Sequence, residues 1–409
     1  MTSPVARFSA AFMRLAWSNL AAQCAEQMAL AAATIVAVLL FNAGGEETGL
    51  LQTAQTLPFL LLSLPAGVLA DRISRRGLMV AAEATRAASL ALILALIVSG
   101  RLTLALLATL GFIGATGTVV YNVAAPAMVP LLAPRELLVP ANRWLELARS
   151  CAFAAGPALG GALVGWSGAP TAFIVATALS LFAVSMLTGL PDSTGRGDSA
   201  RRPLHDLIEG GRFVINHPLL RPLLFVAILF NTSWFVLQGV YAPYAIHHLG
   251  LSASGVGATL GAYGAGMIVG ALGAPALARR LAFGATIIVG PLSGFLASAL
   301  MAVTIVAPSG LIAGLSFFLF GAGPVIWVIT TTSLRQTVTP NAMLGRVSAI
   351  IVTATYGARP IGAAIGAALS GGFGVEACLL ISLVGFFAQF ALIVGAEPPR
   401  LKRLPQPAE

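Results

Sequence analysis

Long apolar runs separated by short polar breaks dominate the pattern of this chain. A helix needs about 20 apolar residues to cross about 30 Å of hydrocarbon, and the runs reach that length. They do not alternate polar and apolar positions as membrane β-strands do, and lipid cannot satisfy an open backbone. The pattern therefore predicts an all-α polytopic membrane protein. Its twelve predicted spans lie at 16–41, 49–70, 77–99, 102–125, 142–166, 170–190, 219–246, 252–277, 283–306, 309–333, 343–369 and 374–396.

Composition agrees with a bilayer environment. Of 409 residues, 58% are apolar and 9% are charged, whereas a soluble domain carries about 25% charged residues. The N-terminal stretch lacks the cleavage pattern of a removable signal, so we expect the first span to remain in the mature protein. Three cysteines at unrelated spacings within apolar runs predict neither a disulfide framework nor a metal site.

Basic residues fall on one side of the predicted topology. Of 23 lysines and arginines, 19 lie on the side where odd-numbered spans begin, and only Arg101 lies opposite. The positive-inside rule makes that basic side cytoplasmic. We therefore expect both termini in the cytoplasm and insertion into a bacterial inner membrane. The net charge of +9 is then a topology signal, and nucleic acid is not an expected partner.

A long polar stretch divides the chain into two halves that resemble each other. Arg143 and Pro157 of span five recur as Arg346 and Pro360 of span eleven, each pair 203 residues apart. Parallel six-helix repeats form a known transporter plan, with the substrate site near the membrane midplane. Within the stretch, residues 203–216 suit a short helix on the membrane surface. We predict an N-terminal six-helix bundle, a cytoplasmic linker and a C-terminal six-helix bundle at 1–190, 191–218 and 219–409.

Several motifs resemble the major facilitator superfamily. The loop GVLADRISRRG at 67–77 is similar to its signature between spans two and three, except that Ser74 replaces the usual Gly. The Gly-Pro-x-x-Gly-Gly run at 156–161 resembles the fifth-helix motif of its exporters. Three further stretches are similar to its enterobactin-exporter and macrolide-efflux branch: EATR at 83–86, PAMVPLLAPRELLVPAN at 126–142 and TPNAMLGRVS at 339–348. This resemblance implies the major facilitator fold of twelve helices in two pseudo-repeats.

The resemblance also implies a gate at the cytoplasmic side. Asp71 would sit against the N-terminal end of span eleven, where helix amides favour an anion; the neighbouring arginines alternatively serve only to anchor topology. The gate candidates are Gly67, Asp71, Arg72, Arg75, Arg76, Gly345 and Arg346. The span-five motif, expected to bend that helix and allow close packing, consists of Gly156, Pro157, Gly160 and Gly161.

Charges inside spans are costly and usually functional. Glu26 belongs to a polar stripe on span one and either carries a proton or braces helices through hydrogen bonds. Two further acid–base pairs are spaced i,i+3 and can pair on their own helices; bracing and proton relay both remain open for them. The proton-coupling candidates are Glu26, Glu83, Arg86, Glu146 and Arg149.

Arg359 lies deep in span eleven with no acidic residue near it in sequence. It either binds an anionic substrate group or pairs across the cavity with Glu26. Aromatic and amide side chains suit the rest of a substrate pocket, although aromatic residues also mark membrane interfaces. The substrate-binding candidates are Gln23, Glu26, Tyr121, Asn122, Asn231, Trp234, Gln238, Tyr263, Trp327, Tyr356 and Arg359.

The sequence favours transport over catalysis. It has no phosphate-binding loop of an ATP-driven pump, no nucleophile cluster and no metal cluster, so we expect no cofactor and a proton gradient as the energy source. Three hypotheses remain: proton-coupled export of a siderophore or similar metabolite, efflux of drugs such as macrolides, and a sensor or scaffold with a transporter fold. The expected partners are a small-molecule substrate, protons and membrane lipid. We expect a monomer. Whether an outer-membrane channel is a further partner is a question that the sequence leaves open.

Overall fold

The computed structural model describes residues 8–134, 137–192, 203–340 and 343–405. Within them the chain forms thirteen α-helices and no strand. Twelve are long, and α7 is a short helix in the linker. Their bounds are α1 Ala10–Phe41, α2 Gly45–Arg72, α3 Arg75–Val98, α4 Leu104–Leu132, α5 Leu138–Ser167, α6 Ala169–Thr188, α7 Pro203–Asn216, α8 Leu220–Pro243, α9 Ala253–Arg280, α10 Phe283–Val303, α11 Gly310–Val338, α12 Leu344–Phe373 and α13 Val375–Gly395. The predicted all-α architecture is confirmed.

Ten of the twelve long helices in the described residues are long and apolar enough to cross a membrane. The exceptions, α2 and α12, have 28 and 30 residues, so length does not set them apart. Both helices carry charged residues: α2 begins with Glu46 and Glu47, and α12 contains Arg346 and Arg359. The two helices pack against each other between the halves. Both helices therefore lie where the two halves meet.

Helix ends depart from the predicted spans at α4. This helix continues through Pro126 and Pro130 to Leu132, whereas the sequence predicted its end at 125. Proline is tolerated in membrane helices because neighbouring groups satisfy the freed backbone carbonyls. Of the stretch 126–142, the first seven residues therefore lie on α4 and the last five lie on α5.

The two halves share one packing scheme. In the N-terminal half α1 packs on α5 and α6, α4 packs on α2 and α3, and α3 packs on α6. Adding seven to each label gives the pairs found in the C-terminal half: α8 with α12 and α13, α11 with α9 and α10, and α10 with α13. The internal repeat inferred from Arg143 and Pro157 is thus present as a repeated helix arrangement.

Two glycines mark the same corner in each half. Gly168 ends α5 and begins α6, and Gly374 ends α12 and begins α13; both have a φ of 84°. Only glycine adopts this backbone region without strain. Each half therefore makes its last helix–helix turn in the same way.

The halves meet through two equivalent helix pairs, α2 with α12 and α5 with α9. Near the end where α9 begins, a methyl group on Gly161 would lie 2.6 Å from the Gly257 Cα. A methyl group on Gly49 would lie 2.8 Å from the Ala367 Cα. At the basic end, a methyl group on Gly345 would meet no atom within 4 Å. The halves are therefore closely packed at the end opposite the basic one.

The linker helix α7 docks on the C-terminal half. Its Glu209 pairs with Arg346 at the start of α12 at 2.5 Å, and its Val214 is fully buried against that half. It occupies Pro203–Asn216, the stretch for which the sequence predicted a short helix. The contact ties the linker to the base of α12.

Candidate transport cavity

A cavity of about 670 Å³ lies between the two halves. Pockets that hold small organic molecules span roughly 300–1,000 Å³. Glu146 and Arg149 of α5 lie on its wall, yet 60% and 42% of their side chains remain exposed. The cavity therefore opens toward the basic end, while the packed glycines close the other end.

A buried ion network forms the N-terminal wall around Arg86. The Arg86 guanidinium donates to both carboxylate oxygens of Glu83, with its Nε 3.2 Å from Oε1. Its Nη1 lies 3.2 Å from the Thr118 hydroxyl, and the Ser180 hydroxyl donates to Glu83 at 2.6 Å. Glu83 is 1% exposed and Arg86 is 4% exposed. Buried charges require this degree of pairing, so Glu83 and Arg86 hold α3, α4 and α6 together.

Glu26 is the loosely held member of this network. One of its oxygens lies 3.7 Å from the Arg86 Nη1, which is too long for a hydrogen bond. Within the described residues it accepts no hydrogen bond. Its side chain is 14% exposed and lines the cavity, whereas Glu83 does not. Glu26 is therefore the carboxylate of the network that the cavity reaches.

The remaining acid–base pair lies nearer the cavity mouth. Arg149 donates to both oxygens of Glu146 on its own helix, one turn away, with its Nε 3.0 Å from Oε2. Its guanidinium also lies over the Phe153 ring at 5.8 Å. The two charges therefore neutralise each other at the mouth.

Aromatic side chains form much of the C-terminal wall. Trp234 stacks on Tyr263 with ring centroids 5.0 Å apart and makes edge contacts with Phe317 and Phe320 at 5.7 and 4.9 Å. Such pairs are stabilised by ring quadrupoles beyond the area that they bury. Five of the sequence-predicted binding residues of this half line the cavity here: Asn231, Trp234, Gln238, Tyr263 and Trp327.

Arg359 lines the cavity on the same side without a carboxylate partner. Its guanidinium carbon lies 4.2 Å from the Tyr356 ring centroid, 5.5 Å from that of Phe235 and 5.7 Å from that of Phe59. Among the described residues no carboxylate lies within 4.0 Å of it. Its Nε is buried without a hydrogen-bond partner. The direct pairing with Glu26 considered from the sequence is therefore absent; Glu26 lies on the opposite wall, beside Arg86.

A sequence model of the Major Facilitator Superfamily matches residues 15–363 of this chain. The chain belongs to the major facilitator superfamily. It is thus a multi-pass membrane transporter of small molecules and not an enzyme.

Two relatives within the superfamily are exporters. The multidrug efflux pump Tap of Mycolicibacterium fortuitum is 28% identical over 393 residues, which cover 91% of this chain and 92% of the relative. The enterobactin exporter EntS of Citrobacter koseri is 29% identical over 265 residues, which cover 64% of this chain and 60% of the relative. Export relatives therefore match the branch that the sequence motifs resembled.

Solved structures of superfamily transporters share the fold. The nucleoside transporter NupG superposes with a TM-score of 0.71 at 12% identity, covering 95% of this chain and 98% of its own. A bacterial homologue of the iron transporter ferroportin, in an inward-facing state, gives 0.70 at 16% identity, covering 94% and 98%. At these identities the likeness concerns the fold.

The superfamily's span-five motif makes contacts in two directions. Methyl groups on Gly156 and Gly160 would meet Gln27 and Met28 of α1, at 2.5 Å and 2.8 Å. Gly161 instead faces Gly257 of the other half. Pro157 lines the cavity. The motif thus packs α5 within its own half and closes the end opposite the basic one.

The structure describes the side chains of only part of the loop at 67–77, which resembles the superfamily signature. Gly67, Asp71 and Arg72 lie outside the part of the chain whose side chains the structure describes. Arg75 and Arg76 lie in the first turn of α3, and Gly345 lies in the first turn of α12 beside Arg346. Ser74, where the superfamily usually has Gly, caps α3 by accepting a hydrogen bond from the Gly77 amide at 3.1 Å. It also donates to Asp192 beyond α6, so this departure ties two helix ends together.

Four predicted binding residues lie off the cavity wall. Gln23 donates to Asn122 at 3.1 Å, and the Tyr121 hydroxyl lies 3.2 Å from that of Ser18. These polar atoms are satisfied inside the N-terminal half, because α4 turns them toward α1. Tyr356 lies behind Arg359 and contacts its guanidinium.

Sequence reasoning missed several wall residues. Gln52, Gln55 and Thr56 face the cavity from α2, and their i,i+3,i+4 spacing was a usable signal. Arg335 and Gln389 also line it. Within the described residues, the Gln55 carbonyl oxygen, the Arg335 Nε and both amide atoms of Gln389 are buried without hydrogen-bond partners. The wall therefore contains polar side chains that the sequence did not single out, some with polar atoms buried behind its surface.

Proposed function

We propose that this transporter exports a small organic molecule, such as a siderophore or a similar metabolite, in exchange for protons. The exporting relatives support the direction of transport. The observation that carries the coupling is the position of Glu26, which faces the cavity and is held only by a long contact to Arg86. A proton carrier must bind and release its proton without unfolding its surroundings. Glu83 keeps Arg86 paired in either state of Glu26, so the network tolerates that change.

The transport cycle follows from the two ends of the cavity. With the basic end cytoplasmic, substrate enters the open cavity from the cytoplasm or inner leaflet. The halves then rock about the midplane site, so that the basic end closes and the contact between Gly161 and Gly257 opens. Glu26 takes up a proton from the periplasmic side after the substrate leaves. Return of the protonated transporter releases that proton into the cytoplasm.

Reconstitution in proteoliposomes with an imposed pH gradient tests this coupling. Glu26→Gln resembles the protonated carboxyl permanently. It should therefore abolish gradient-driven net transport while substrate-for-substrate counterflow continues. Glu376→Gln removes a carboxylate at the start of α13, away from the cavity, and should leave both rates unchanged. Full gradient-driven transport by Glu26→Gln at every pH would exclude Glu26 as the carrier.

Efflux of drugs such as macrolides is the second candidate. The aromatic wall around Trp234 and the match to a multidrug pump over 91% of this chain favour it. Mass spectrometry of supernatants and cell extracts from a deletion strain under iron starvation separates the two. A siderophore retained in mutant cells supports metabolite export, whereas an unchanged profile with altered drug susceptibility supports drug efflux. Absence of counterflow for any substrate would favour a sensor.

A further inference from the structure

The C-terminal half contributes only positive charge to the cavity wall. Arg335 and Arg359 line the cavity from α11 and α12. Between Glu209 and Glu376 the sequence contains no aspartate or glutamate. Neither arginine therefore has a carboxylate on its own half at cavity depth. Among the described residues neither forms an ion pair.

The surroundings of Arg359 stabilise its charge but leave its hydrogen-bonding capacity unused. Three ring centroids lie 4.2–5.7 Å from its guanidinium carbon, and cation–π contacts stabilise a cation over a ring face. Ring faces do not replace acceptors in the guanidinium plane, where five N–H groups point outward. The buried Nε has no acceptor among the described residues. An arginine within a membrane span normally has such a partner. Arg359 is only half-buried and lines the cavity, so its remaining guanidinium N–H groups can donate to an acceptor that a ligand brings.

The opposite wall carries the complementary charge. Glu26 and Glu83 share the single positive charge of Arg86, so this network bears an excess negative charge while Glu26 is ionised. The Glu146 and Arg149 pair is neutral. An anionic group would therefore be repelled by the N-terminal wall and attracted to Arg359. Since bidentate carboxylate pairing suits a guanidinium fork, the ligand's acidic group has a defined docking point.

We infer that the substrate is an organic anion with an aromatic body. Its acidic group binds Arg359, and its ring stacks in the aromatic wall of Trp234 and Tyr263. Arg335, in the last turn of α11 at the basic end, meets the anion first as it enters. The inference rests on the proposed function, because it takes this cavity as the transport site. Exchange of one such anion for one proton moves two charges, so the membrane potential contributes to export.

Isothermal titration calorimetry on the purified full chain tests the inference with three probes that share one ring system: 1-naphthoate, 1-naphthamide and 1-naphthylmethylammonium. Naphthoate should bind at least about tenfold tighter than naphthamide, because a hydrogen-bonded charge contributes that much, and the ammonium probe should bind most weakly. Arg359→Gln should reduce naphthoate affinity to that of naphthamide. Arg359→Lys should retain part of the preference. Arg101→Gln, an equal loss of charge outside the cavity, should retain all of it.

Each contrary result has a separate meaning. Equal affinities of the wild-type protein for naphthoate and naphthamide, or no binding of any probe, would overturn the substrate class. An unchanged naphthoate preference in Arg359→Gln would remove Arg359 from the site. If that variant does not fold, the wild-type probe series and Arg359→Lys still decide. Binding requires no proton gradient, so failure of the Glu26 coupling test leaves this result independent.

Discussion

Arg86 and Arg359 lie on opposite walls of the same cavity in opposite surroundings. Arg86 has two carboxylates and the Thr118 hydroxyl around it. Arg359 has three ring faces and no carboxylate within 4.0 Å among the described residues. The same residue type inside a span therefore serves two purposes. Arg86 braces helices, and Arg359 is the residue that we propose as the docking point for an anionic ligand.

The largest expected effect is a difference in protein stability between substitution of Arg86 and substitution of Arg359. Arg86→Gln leaves Glu83 buried without its partner, which should destabilise the protein by about 3–5 kcal/mol. Thermal unfolding of the purified protein in detergent measures this loss. Arg359→Gln should cost much less, since no buried carboxylate loses a partner.

The double variant Glu83→Gln with Arg86→Gln supplies the control for that prediction. Removing both charges should restore most of the stability, because neither remains buried alone. A single Arg86→Gln variant that unfolds at the wild-type temperature would show that the network is not a brace.

A smaller effect should follow when the two halves can no longer pack closely at the end opposite the basic one. Gly161→Val places a side chain where a methyl group already lies 2.6 Å from the Gly257 Cα. Overpacking costs about 1–3 kcal/mol, which should populate a state open at that end. Gly372→Val is the matched control, because a methyl group there meets nothing within 4 Å.

Spin labels attached at Trp166→Cys and Val306→Cys report how far the halves separate at that end. Both positions are exposed, and they lie on different halves. The distance between the two labels, measured by electron paramagnetic resonance, should be longer in Gly161→Val and unchanged in Gly372→Val. Equal distances in all three proteins would mean that this glycine contact does not hold the halves together.

The smallest expected effect is a difference in stability between substitutions of two buried glutamines, one in each half. Gln389 is fully buried on the C-terminal side and has no hydrogen-bond partner among the described residues, so Gln389→Leu should be neutral or stabilise by about 1 kcal/mol. Gln23 on the N-terminal side donates to Asn122, so Gln23→Leu should destabilise by about 1 kcal/mol. Thermal unfolding measures both. Equal losses would mean that the Gln389 amide is hydrogen-bonded in the membrane.

Much of the fold could be predicted because lipid restricts the choices. A run of apolar residues in hydrocarbon must form a helix, so span number and helix order followed from the pattern. Helix ends were less predictable, as α4 shows by continuing through Pro130 to Leu132. The i,i+3 pairing of Glu83 with Arg86 also followed from spacing, since helix geometry places such residues on one face.

The sequence by itself determined the superfamily, the two-repeat plan and which charges lie inside the spans. The tertiary structure alone decided which of those charges are neutralised and which polar groups face the cavity. Tyr121 and Asn122 resembled pocket residues in sequence, yet contacts with α1 satisfy or bury them. Spacing already paired Arg86 with Glu83, but only the structure brought Glu26 and Thr118 to Arg86 and three aromatic rings to Arg359. The physical reason is that a buried charge takes its role from neighbours distant in sequence, and helix packing alone brings those neighbours together.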